Sequence, residues 1–290
     1  MKAPFLHPAL FAITALLLCG CGKAPSPPKS AMEGGKAGET RVFGGIEMVW
    51  CPPGSFAMGS PAPRKFEVLD WKMEWGGEEG RIHLETRHRV TLTQGFWLAK
   101  TETTQQQWES VMGGNPSEFK GPDLPVETVS WDDVQKWLAE MNRRHPLPEG
   151  WVWDLPTEGQ WEYACRAGTR GPYAGSGKLD AMGWYDGNSG GKTKPVAMKQ
   201  ANDWGLHDMH GNVWEWCRDW YWEYSTDSIT DPVGIASGSH RVFRGGSWRA
   251  IAQECRSAVR IAGKPDIQSI DFIGFRPAIV PAPQPLNLKP

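Results

Sequence analysis

The sequence predicts an α+β fold in one irregular, loop-rich domain. Seventeen tryptophans accompany 34 glycines and 24 prolines in 290 residues, a composition that favours large rings packed between turns over aliphatic heptads. Segments with helical or strand periodicity are short and are separated by turn residues. Because 40% of the residues are hydrophobic, the chain can bury a substantial core, and we expect one domain at residues 44–282.

The N-terminal segment carries export signals. An apolar run at residues 11–18 is too short to span a bilayer. It ends in Leu18-Cys19-Gly20-Cys21, which resembles a lipobox, whose cysteine is acylated and becomes the first mature residue. We expect a signal peptide at residues 1–20, a lipid on Cys21 and a Pro- and Ser-rich tether at residues 21–43. The alternative is an ordinary signal peptide that has a cysteine near its end.

The residue after the lipobox indicates a destination. Gly22 rather than aspartate follows the cysteine, and by resemblance to lipoprotein sorting this favours the outer membrane of a Gram-negative cell. We therefore expect a bacterial envelope protein that contacts the membrane through its lipid. The formal charge of −2 predicts no nucleic-acid partner. Residues 283–290 are expected to be a C-terminal tail.

Short strands open the domain. Residues 46–50 and 56–58 are predicted strands on either side of a Pro-Pro-Gly turn. Residues 61–86 are charged and poorly patterned, which indicates a surface insertion. Strand-like segments follow at residues 89–93 and 96–99.

Three helices are predicted after these strands. Residues 104–112 turn to helical periodicity. A second helix begins at Ser130, whose third follower Asp133 can complete a capping box, and a third begins at Thr157 with a Thr-x-x-Gln box. The second helix has one apolar face, made by Val134, Trp137, Leu138 and Met141. After Gly168 regular patterning nearly vanishes, and no internal repeat is present.

Residues 205–220 combine acids, glycine and tryptophan too densely for an amphipathic helix or strand. Asp208 and Glu215 lie seven residues apart around Gly211 and Asn212, so a tight loop could direct two carboxylates and the intervening carbonyls at one hard cation. The segment is therefore predicted to be a cation-organised turn. In the alternative, Asp208 caps a turn and Glu215 pairs with Arg218 or with a distant arginine.

Four cysteines lie inside the predicted domain: Cys51, Cys165, Cys217 and Cys255. An exported protein is permitted disulfides, and four cysteines allow three pairings between which spacing does not choose. No Cys-x-x-Cys spacing occurs among them, which argues against a zinc knuckle or a thioredoxin-like motif.

A series of motifs occurs in one fixed order along the domain. It comprises Met58-Gly59, Leu155-Pro-Thr-Glu-Gly-Gln-Trp-Glu-Tyr-Ala-Cys165, residues 205–220, Arg244-Gly-Gly-Ser-Trp248, Cys255-Arg-Ser-Ala-Val-Arg260 and Gly274-Phe-Arg276. Together these motifs resemble the formylglycine-generating enzyme family, also called sulfatase-modifying factors, over roughly residues 44–280. The resemblance implies a C-type-lectin-like architecture with little regular secondary structure.

The resemblance also implies a structural calcium ion. Matching positions give Asp208 and Glu215 as side-chain ligands, with Gly211 and Val213 contributing backbone carbonyls. Hard cations prefer such oxygen ligands.

This sequence departs from the family at the residues that would bind copper. In the enzymes of the family, two cysteines five residues apart follow the Gly-Gly-Ser shortly downstream, bind copper and use oxygen to oxidise a substrate cysteine to formylglycine. Residues 249–254 contain no thiol, and Cys255 matches a later segment of the family. Because copper(I) requires soft thiolate ligands, we expect copper and cysteine-oxidase chemistry to be absent.

Three further residues match positions that line or support the family's cleft: Trp214, Ser247 and Arg260. The alternative is that Ser247 and Arg260 hold backbone carbonyls in an irregular core. The resemblance also suggests a disulfide between Cys165 and Cys255, with Cys217 as a rival partner.

Three functions are compatible with these features. The first is a lipid-anchored, calcium-stabilised binding module for a peptide, glycan or envelope protein, without catalysis. The second is an enzyme, either an active formylglycine-generating oxidase or another activity on this scaffold, since a fold does not determine a reaction. The third is a lectin-fold variable protein diversified by a retroelement, because such proteins also contain Gly-Gly-Ser-Trp and Gly-Phe-Arg segments. Residues 249–272 lack the Asn-rich composition typical of diversified positions.

Overall fold

The computed structural model describes residues 31–62, 64–68, 71–75, 84–267 and 270–282. The chain divides into two units, Met1–Ala31 and Met32–Pro290. The predicted signal peptide, Cys21 and the C-terminal tail lie outside the described residues. Among the helices of the described residues, none combines the length and the apolar composition that a membrane crossing requires.

Helices are short and strands are numerous in the described chain. The helices are α1 Gln105–Met112, α2 Trp131–Arg144, α3 Glu158–Arg166 and α4 Leu179–Met182, with a 3₁₀ helix at Ala252–Cys255. The strands are β1 Thr40–Phe43, β2 Ile46–Cys51, β3 Gly54–Met58, β4 Arg64–Val68, β5 Trp71–Trp75, β6 His88–Leu92, β7 Phe96–Ala99, β8 Trp151–Asp154, β9 Trp214–Trp220, β10 Ile229–Thr230, β11 Arg241–Arg244, β12 Arg260–Gly263, β13 Ile273–Gly274 and β14 Ala278–Pro281.

The strands associate into small sheets. One sheet has the order β1-β2-β7-β14-β8, a second β12-β11-β9-β13 and a third β10-β6-β3, while β4 and β5 pair with each other. β14 lies between β7 and β8 and is antiparallel to both, so the end of the domain returns to its beginning. The mixture of short helices and small sheets agrees with the predicted α+β class.

The predicted helices are confirmed, because their signals are local. Thr104, Ser130 and Thr157 each accept a hydrogen bond from the backbone three residues on, and each completes a capping box. The predicted apolar face of α2 is buried in full. The charges of α2 also complement the helix dipole, because acidic residues occupy its first turn and arginines its last.

The prediction for residues 205–220 is wrong in its second half. Trp214–Trp220 is the longest strand described, and its first four residues are all buried. Alternation of polar and apolar residues is absent because β9 is covered on both faces, and a strand buried in this way does not alternate. Only residues 205–213 form the expected irregular loop.

The domain begins earlier than the predicted residue 44. Met32 is buried in the core, and its carbonyl oxygen accepts a hydrogen bond of 2.7 Å from the Trp97 indole. Thr40–Phe43 pairs with β2. Part of the predicted tether is therefore an edge of the first sheet. Part of the insertion predicted at residues 61–86 is the hairpin of β4 and β5.

Tryptophan fills the core, as the composition predicts. Trp97, Trp137, Trp161 and Trp216 are completely buried. Trp216 packs edge-on against Phe243 with ring centroids 5.2 Å apart, an arrangement that the ring quadrupoles favour.

The motif arginines form buried ion pairs, which join distant parts of the chain. Arg260 binds Glu158 through two hydrogen bonds of 2.7 Å, and Arg256 binds Glu85 through two of 2.8 Å. Arg244 pairs with Glu162, which also accepts from Arg166 within α3. A buried charge is tolerated only with such partners, so these motif residues serve first to hold the irregular fold together.

Candidate functional site

The loop at residues 205–213 requires glycine at its centre. Gly211 has a φ of 96°, and a Cβ there would lie 2.0 Å from the Trp184 carbonyl oxygen. Asp208 also adopts a positive φ, 56°, which acids tolerate better than most residues. Its Oδ2 accepts a hydrogen bond of 2.7 Å from the Ala197 amide, while its buried Oδ1 has no partner among the described residues.

Glu215 lies in β9 beside this loop and is fully paired. Arg276 donates to both carboxylate oxygens, at 2.6 and 2.7 Å, and the Trp161 indole donates to Oε2 at 2.6 Å. The alternative of a distant arginine partner is thus the arrangement in the structure. Arg218 instead lies 3.6 Å from Asp154.

A third carboxylate, which the sequence did not single out, faces the same loop. Glu102 accepts hydrogen bonds from the Asn212 amide side chain at 2.6 Å and from the Val213 backbone at 3.0 Å. Burial first, and then the charges of Asp208 and Glu215, raise the pKa of Glu102 well above its ordinary value. Burial likewise raises the pKa of Asp208.

The four predicted calcium ligands fit an ion only in part. Asp208 fits, because its Oδ1 is an orphaned acceptor in a region where three buried carboxylates face the single guanidinium of Arg276. Glu215 does not fit as placed, since both of its oxygens already accept hydrogen bonds. Among the described residues no three His, Cys, Asp or Glu side chains are arranged to hold a metal ion.

The three predicted cleft residues do not line one described cavity together. Trp214 is buried and packs edge-on against Phe243 at 5.5 Å. Ser247 is buried, and its Oγ has no partner within the described chain. Arg260 lines a cavity whose lining includes neither of the other two.

The predicted disulfide is absent: all four cysteines inside the described domain are free, buried thiols. Cys165 packs near the Ser257 hydroxyl, 3.6 Å away, and near His210, whereas Cys255 packs beneath Gly246, where a Cβ would approach its Sγ to 2.4 Å. Burial raises the pKa of Cys165 to about 12 and raises the pKa values of the other three as well. None of them is a ready thiolate.

Cys255 lies closer to the Gly-Gly-Ser turn than the motif comparison implied. The Ser247 backbone interacts with the Cys255 thiol, and the Cys255 side chain shares a small apolar cluster with Ala250 and Leu179. Ala250 and Cys255 are five residues apart, which is the spacing of the two copper-binding cysteines in the family's enzymes. The structure therefore retains one thiol at this turn and has alanine five residues before it.

A cavity of about 420 Å³ opens beside α3 and β9, and we name it the Asp219 cavity. Its lining is mainly apolar and aromatic. It comprises Met58, His88, Glu158, Gly159, Asp219, Trp220, Trp222, Tyr224, Ser225, Asp227, Ser228, Ile229, Pro232, Gly234, Ile235 and Arg260.

Asp219 is, with Glu158, one of two buried acids that line this cavity. Its side chain is only 5% exposed, and Oδ2 accepts a hydrogen bond of 2.8 Å from the Glu158 amide. Burial, reinforced by the negative charge of Glu158, raises the pKa of Asp219 to about 7, although Arg218 and Arg260 oppose the rise. A carboxyl group with such a pKa in a cavity is typical of functional sites.

No pattern in the sequence predicts this cavity. Asp219 stands within the aromatic run Asp219-Trp-Tyr-Trp-Glu-Tyr224, and an acid among closely spaced rings was the only local signal. Asp219 is buried by Glu158 of α3 and by Gly234. Gly234 packs so closely that a Cβ at this position would lie 3.2 Å from Asp219 Oδ1. Those neighbours come together only in the folded chain.

Comparison with known proteins places these features in a wider context. The family model described as "Sulfatase-modifying factor enzyme 1-like domain" matches residues 35–280. "Chaperone protein LppX" of Paenibacillus barcinonensis is 32% identical over 208 residues, covering 55% of this chain and 71% of that protein. The formylglycine-generating enzyme of Mus musculus is 32% identical over 198 residues, covering 58% of this chain and 50% of the enzyme. The chain thus spans about half the length of the mouse relative.

Two solved structures share the fold. Treponema denticola variable protein 1 superposes with a TM-score of 0.65 at 29% identity, covering 83% of this chain and 98% of that one. PvdO from Pseudomonas aeruginosa superposes with a TM-score of 0.68 at 26% identity, covering 84% and 98%. These likenesses confirm the loop-rich, C-type-lectin-like architecture that the ordered motifs predict.

Proposed function

Because the chain belongs to the sulfatase-modifying factor enzyme 1-like family, we propose that it is a binding module of this family without cysteine-oxidase activity. In this proposal a lipid on Cys21 attaches the domain to a bacterial envelope, and the domain binds an envelope or exported protein.

One observation carries the loss of oxidase activity: the thiol set at the Gly-Gly-Ser turn is incomplete. Copper(I) is held by soft thiolates, and oxidation of a substrate cysteine by the family's chemistry needs two of them. At this turn Cys255 is accompanied by Ala250, and residues 249–254 contain no thiol. Burial raises the pKa of Cys255, which further disfavours a thiolate.

The direct test is an oxidation assay on the purified chain. A sulfatase peptide containing the target cysteine is incubated with the protein, copper and oxygen, and its mass is followed. The proposal expects the cysteine to persist. Conversion to formylglycine would support the alternative of an active oxidase.

A protein partner is favoured over a glycan by the likeness to "Chaperone protein LppX". That relative is described as a chaperone protein, and a domain with accessible cavities but no thiol pair suits binding rather than oxidation. The Asp219 cavity supports this proposal as a place for a partner's side chain.

Attachment through Cys21 rests on the lipobox resemblance, with Gly22 favouring the outer membrane. A lipid with several acyl chains anchors stably, whereas one chain binds weakly. Cys21→Ala should move the protein from the membrane fraction to the soluble periplasm, while Cys19→Ala should leave it membrane-bound. A Cys21→Ala protein that stays with the outer membrane would contradict the anchor.

The proposed module also binds a calcium ion. Asp208 would be its side-chain ligand, and the carbonyl oxygens of Gly211 and Val213 would be further ligands. The orphaned Oδ1 of Asp208 and the excess of buried carboxylates over guanidinium support the ion. The ion would stabilise the loop, because a ligand that binds only the folded state shifts the equilibrium towards it.

A second candidate, a sequence-diversified variable protein, is favoured by the likeness to Treponema denticola variable protein 1. Sequencing the flanking DNA distinguishes the candidates. A template repeat of the region encoding residues 249–272 beside a reverse-transcriptase gene would support diversification, and its absence would leave the invariant binding module.

A further inference from the structure

The Asp219 cavity contains an acid whose carboxylate forms no direct ion pair among the described residues. Arg260 also lines the cavity, but it is held by both carboxylate oxygens of Glu158. Arg218 and Arg241 also act on Asp219 through their charges, but neither lines the cavity. Arg218 lies 3.6 Å from Asp154, and the Arg241 guanidinium lies over the rings of Trp131 and Trp220. Within the described chain the Oδ2 of Asp219 receives the Glu158 amide and its Oδ1 receives no hydrogen bond. The charge left over in this cavity is therefore negative.

A second acid strengthens this imbalance. Asp227 also lines the cavity, is exposed, and accepts a hydrogen bond of 2.9 Å from the Ser225 hydroxyl. It has no cationic partner among the described residues. A ligand that passes Asp227 to reach Asp219 would meet the negative charges of both acids, whereas the charges of Glu158 and Arg260 cancel. Charge complementarity therefore favours a cationic ligand.

The walls of the cavity are suited to an apolar stem. Met58, Pro232 and Ile235 line them, and the side chains of Ile229 and Trp222 are 44% and 55% exposed. Large exposed hydrophobic groups around a cavity are typical of interaction sites.

Of the aromatic rings, Trp222 is the one whose face is available. The ring of Tyr224 already lies 3.9 Å from the Arg260 guanidinium, and that of Trp220 lies 3.4 Å from the Arg241 guanidinium. Trp222 has no such cation among the described residues. It could therefore cover an aliphatic stem or the face of a bound cation.

We propose that the Asp219 cavity binds an alkylammonium group, the side chain of a lysine on a protein partner. The ammonium lies at Asp219 Oδ1, and the aliphatic stem lies along Trp222 and Ile229. Lysine fits better than arginine because only one carboxylate oxygen is free, whereas a guanidinium gains most from two parallel hydrogen bonds. This assignment rests on the proposed binding function and specifies the group that the cavity recognises.

Protonation of Asp219 couples lysine binding to pH. Burial and the charge of Glu158 raise the pKa of Asp219 to about 7, and an ammonium stabilises only the ionised carboxylate. Affinity should therefore rise by about tenfold between pH 6 and pH 8, with release of a proton at pH 6. The charges of Glu158, Arg260, Arg218 and Arg241 act on Asp219. The other titratable groups that line the cavity are His88, Tyr224 and Asp227.

The test uses three capped amino acids as probes of the purified chain in isothermal titration calorimetry. N-acetyl-lysine methylamide should bind at pH 8 at least about tenfold more tightly than the norleucine analogue, which has the stem without the charge. The arginine analogue should bind more weakly than lysine. Titrations in buffers of different ionisation enthalpy should show proton release at pH 6.

Variants separate the cavity from the rest of the surface. Asp219→Asn keeps an acceptor for the Glu158 amide and should lose about tenfold in lysine affinity together with the pH dependence. Trp222→Ala, at an exposed position that does not threaten folding, should weaken lysine and norleucine alike. His88→Gln should retain the pH dependence, and Asp203→Asn, an exposed acid outside the cavity, should bind as wild type.

Three results would overturn the assignment. Equal binding of lysine and norleucine would show that the charge is not recognised, and unchanged lysine binding in Asp219→Asn would place the cation elsewhere. None of these results bears on the proposed loss of oxidase activity, which the peptide oxidation assay tests separately. Tighter binding of arginine than lysine would likewise contradict the ammonium assignment.

Discussion

Arg276 holds the carboxylate of Glu215 through two hydrogen bonds of 2.6 and 2.7 Å, with both side chains completely buried. Arg276 also donates to the carbonyl oxygens of Ala99 and His207. One guanidinium thus connects the end of β7, the loop at residues 205–213 and β9. Glu215, which the family resemblance implied as a calcium ligand, is first of all a structural partner of this arginine.

Removal of Arg276 should therefore destabilise the fold strongly. Arg276→Ala leaves Glu215 buried without a cation, and breaking a buried pair in this way costs on the order of 3–5 kcal/mol. Urea unfolding measures the loss. Arg143→Ala, which breaks the exposed pair with Glu140, is the matched control and should scarcely move the midpoint. Equal midpoints for the two variants would contradict the structural role of Arg276.

Calcium should raise the melting temperature of the wild-type protein through Asp208. We expect the melting curve to shift upward on addition of calcium and to return with a chelator. Asp208→Asn should abolish the calcium dependence, while Asp203→Asn, at an exposed acid, should retain it. A wild-type melting curve that is the same with calcium and with chelator would contradict the binding of a structural calcium ion.

The success of the sequence predictions depended on how local each signal was. The capping boxes at Ser130 and Thr157 involve residues three apart, so the helices were predictable. β9 was missed because a strand covered on both faces loses the alternation by which strands are recognised. Burial of Asp219 depends on α3 and on Gly234, contacts that no spacing along the chain reveals.

The difference between local and long-range contacts also decides which parts of the candidate site were predictable. Asp208 and Gly211 belong to one short loop, and their tight turn was predictable from the residues. The pairing of Glu215 with Arg276 crosses 61 positions in the chain, so the residues alone left several arginines open as partners. The suggested disulfide failed for a related reason, since the thiols of Cys165 and Cys255 pack against different groups.

Ionisation of the buried Asp219 should lower the free energy of unfolding as the pH rises. Its pKa is about 7 in the folded protein and about 3.9 in an unfolded chain. Between these two pH values the folded protein binds one more proton, on Asp219, than the unfolded chain does. The stability that this proton contributes is fully present below about pH 3.9 and is lost as the pH rises through about 7. Urea unfolding at pH 5 and pH 8 should show Asp219→Asn gaining on the order of 2 kcal/mol relative to wild type. Parallel pH profiles for the two proteins would contradict the raised pKa.

A single substitution should restore copper binding at the Gly-Gly-Ser turn. Ala250→Cys creates two thiols five residues apart in the cluster that already contains Cys255. Competition with a chromophoric copper(I) chelator should show about tenfold tighter binding than wild type, because copper(I) prefers thiolate pairs. Ala99→Cys, at a buried position in another cluster, is the control. No gain over that control would mean that Ala250 does not occupy the place of a lost copper ligand.

The absence of oxidase chemistry is the central claim, and peptide oxidation tests it most directly. The wild-type protein and mouse formylglycine-generating enzyme are each incubated with copper, oxygen and a cysteine-containing sulfatase peptide, and the peptide is analysed by mass spectrometry. We expect the mouse enzyme to convert the cysteine to formylglycine and the present protein to leave it as a thiol. Formylglycine in the presence of the wild-type protein, above a protein-free control, would contradict the account.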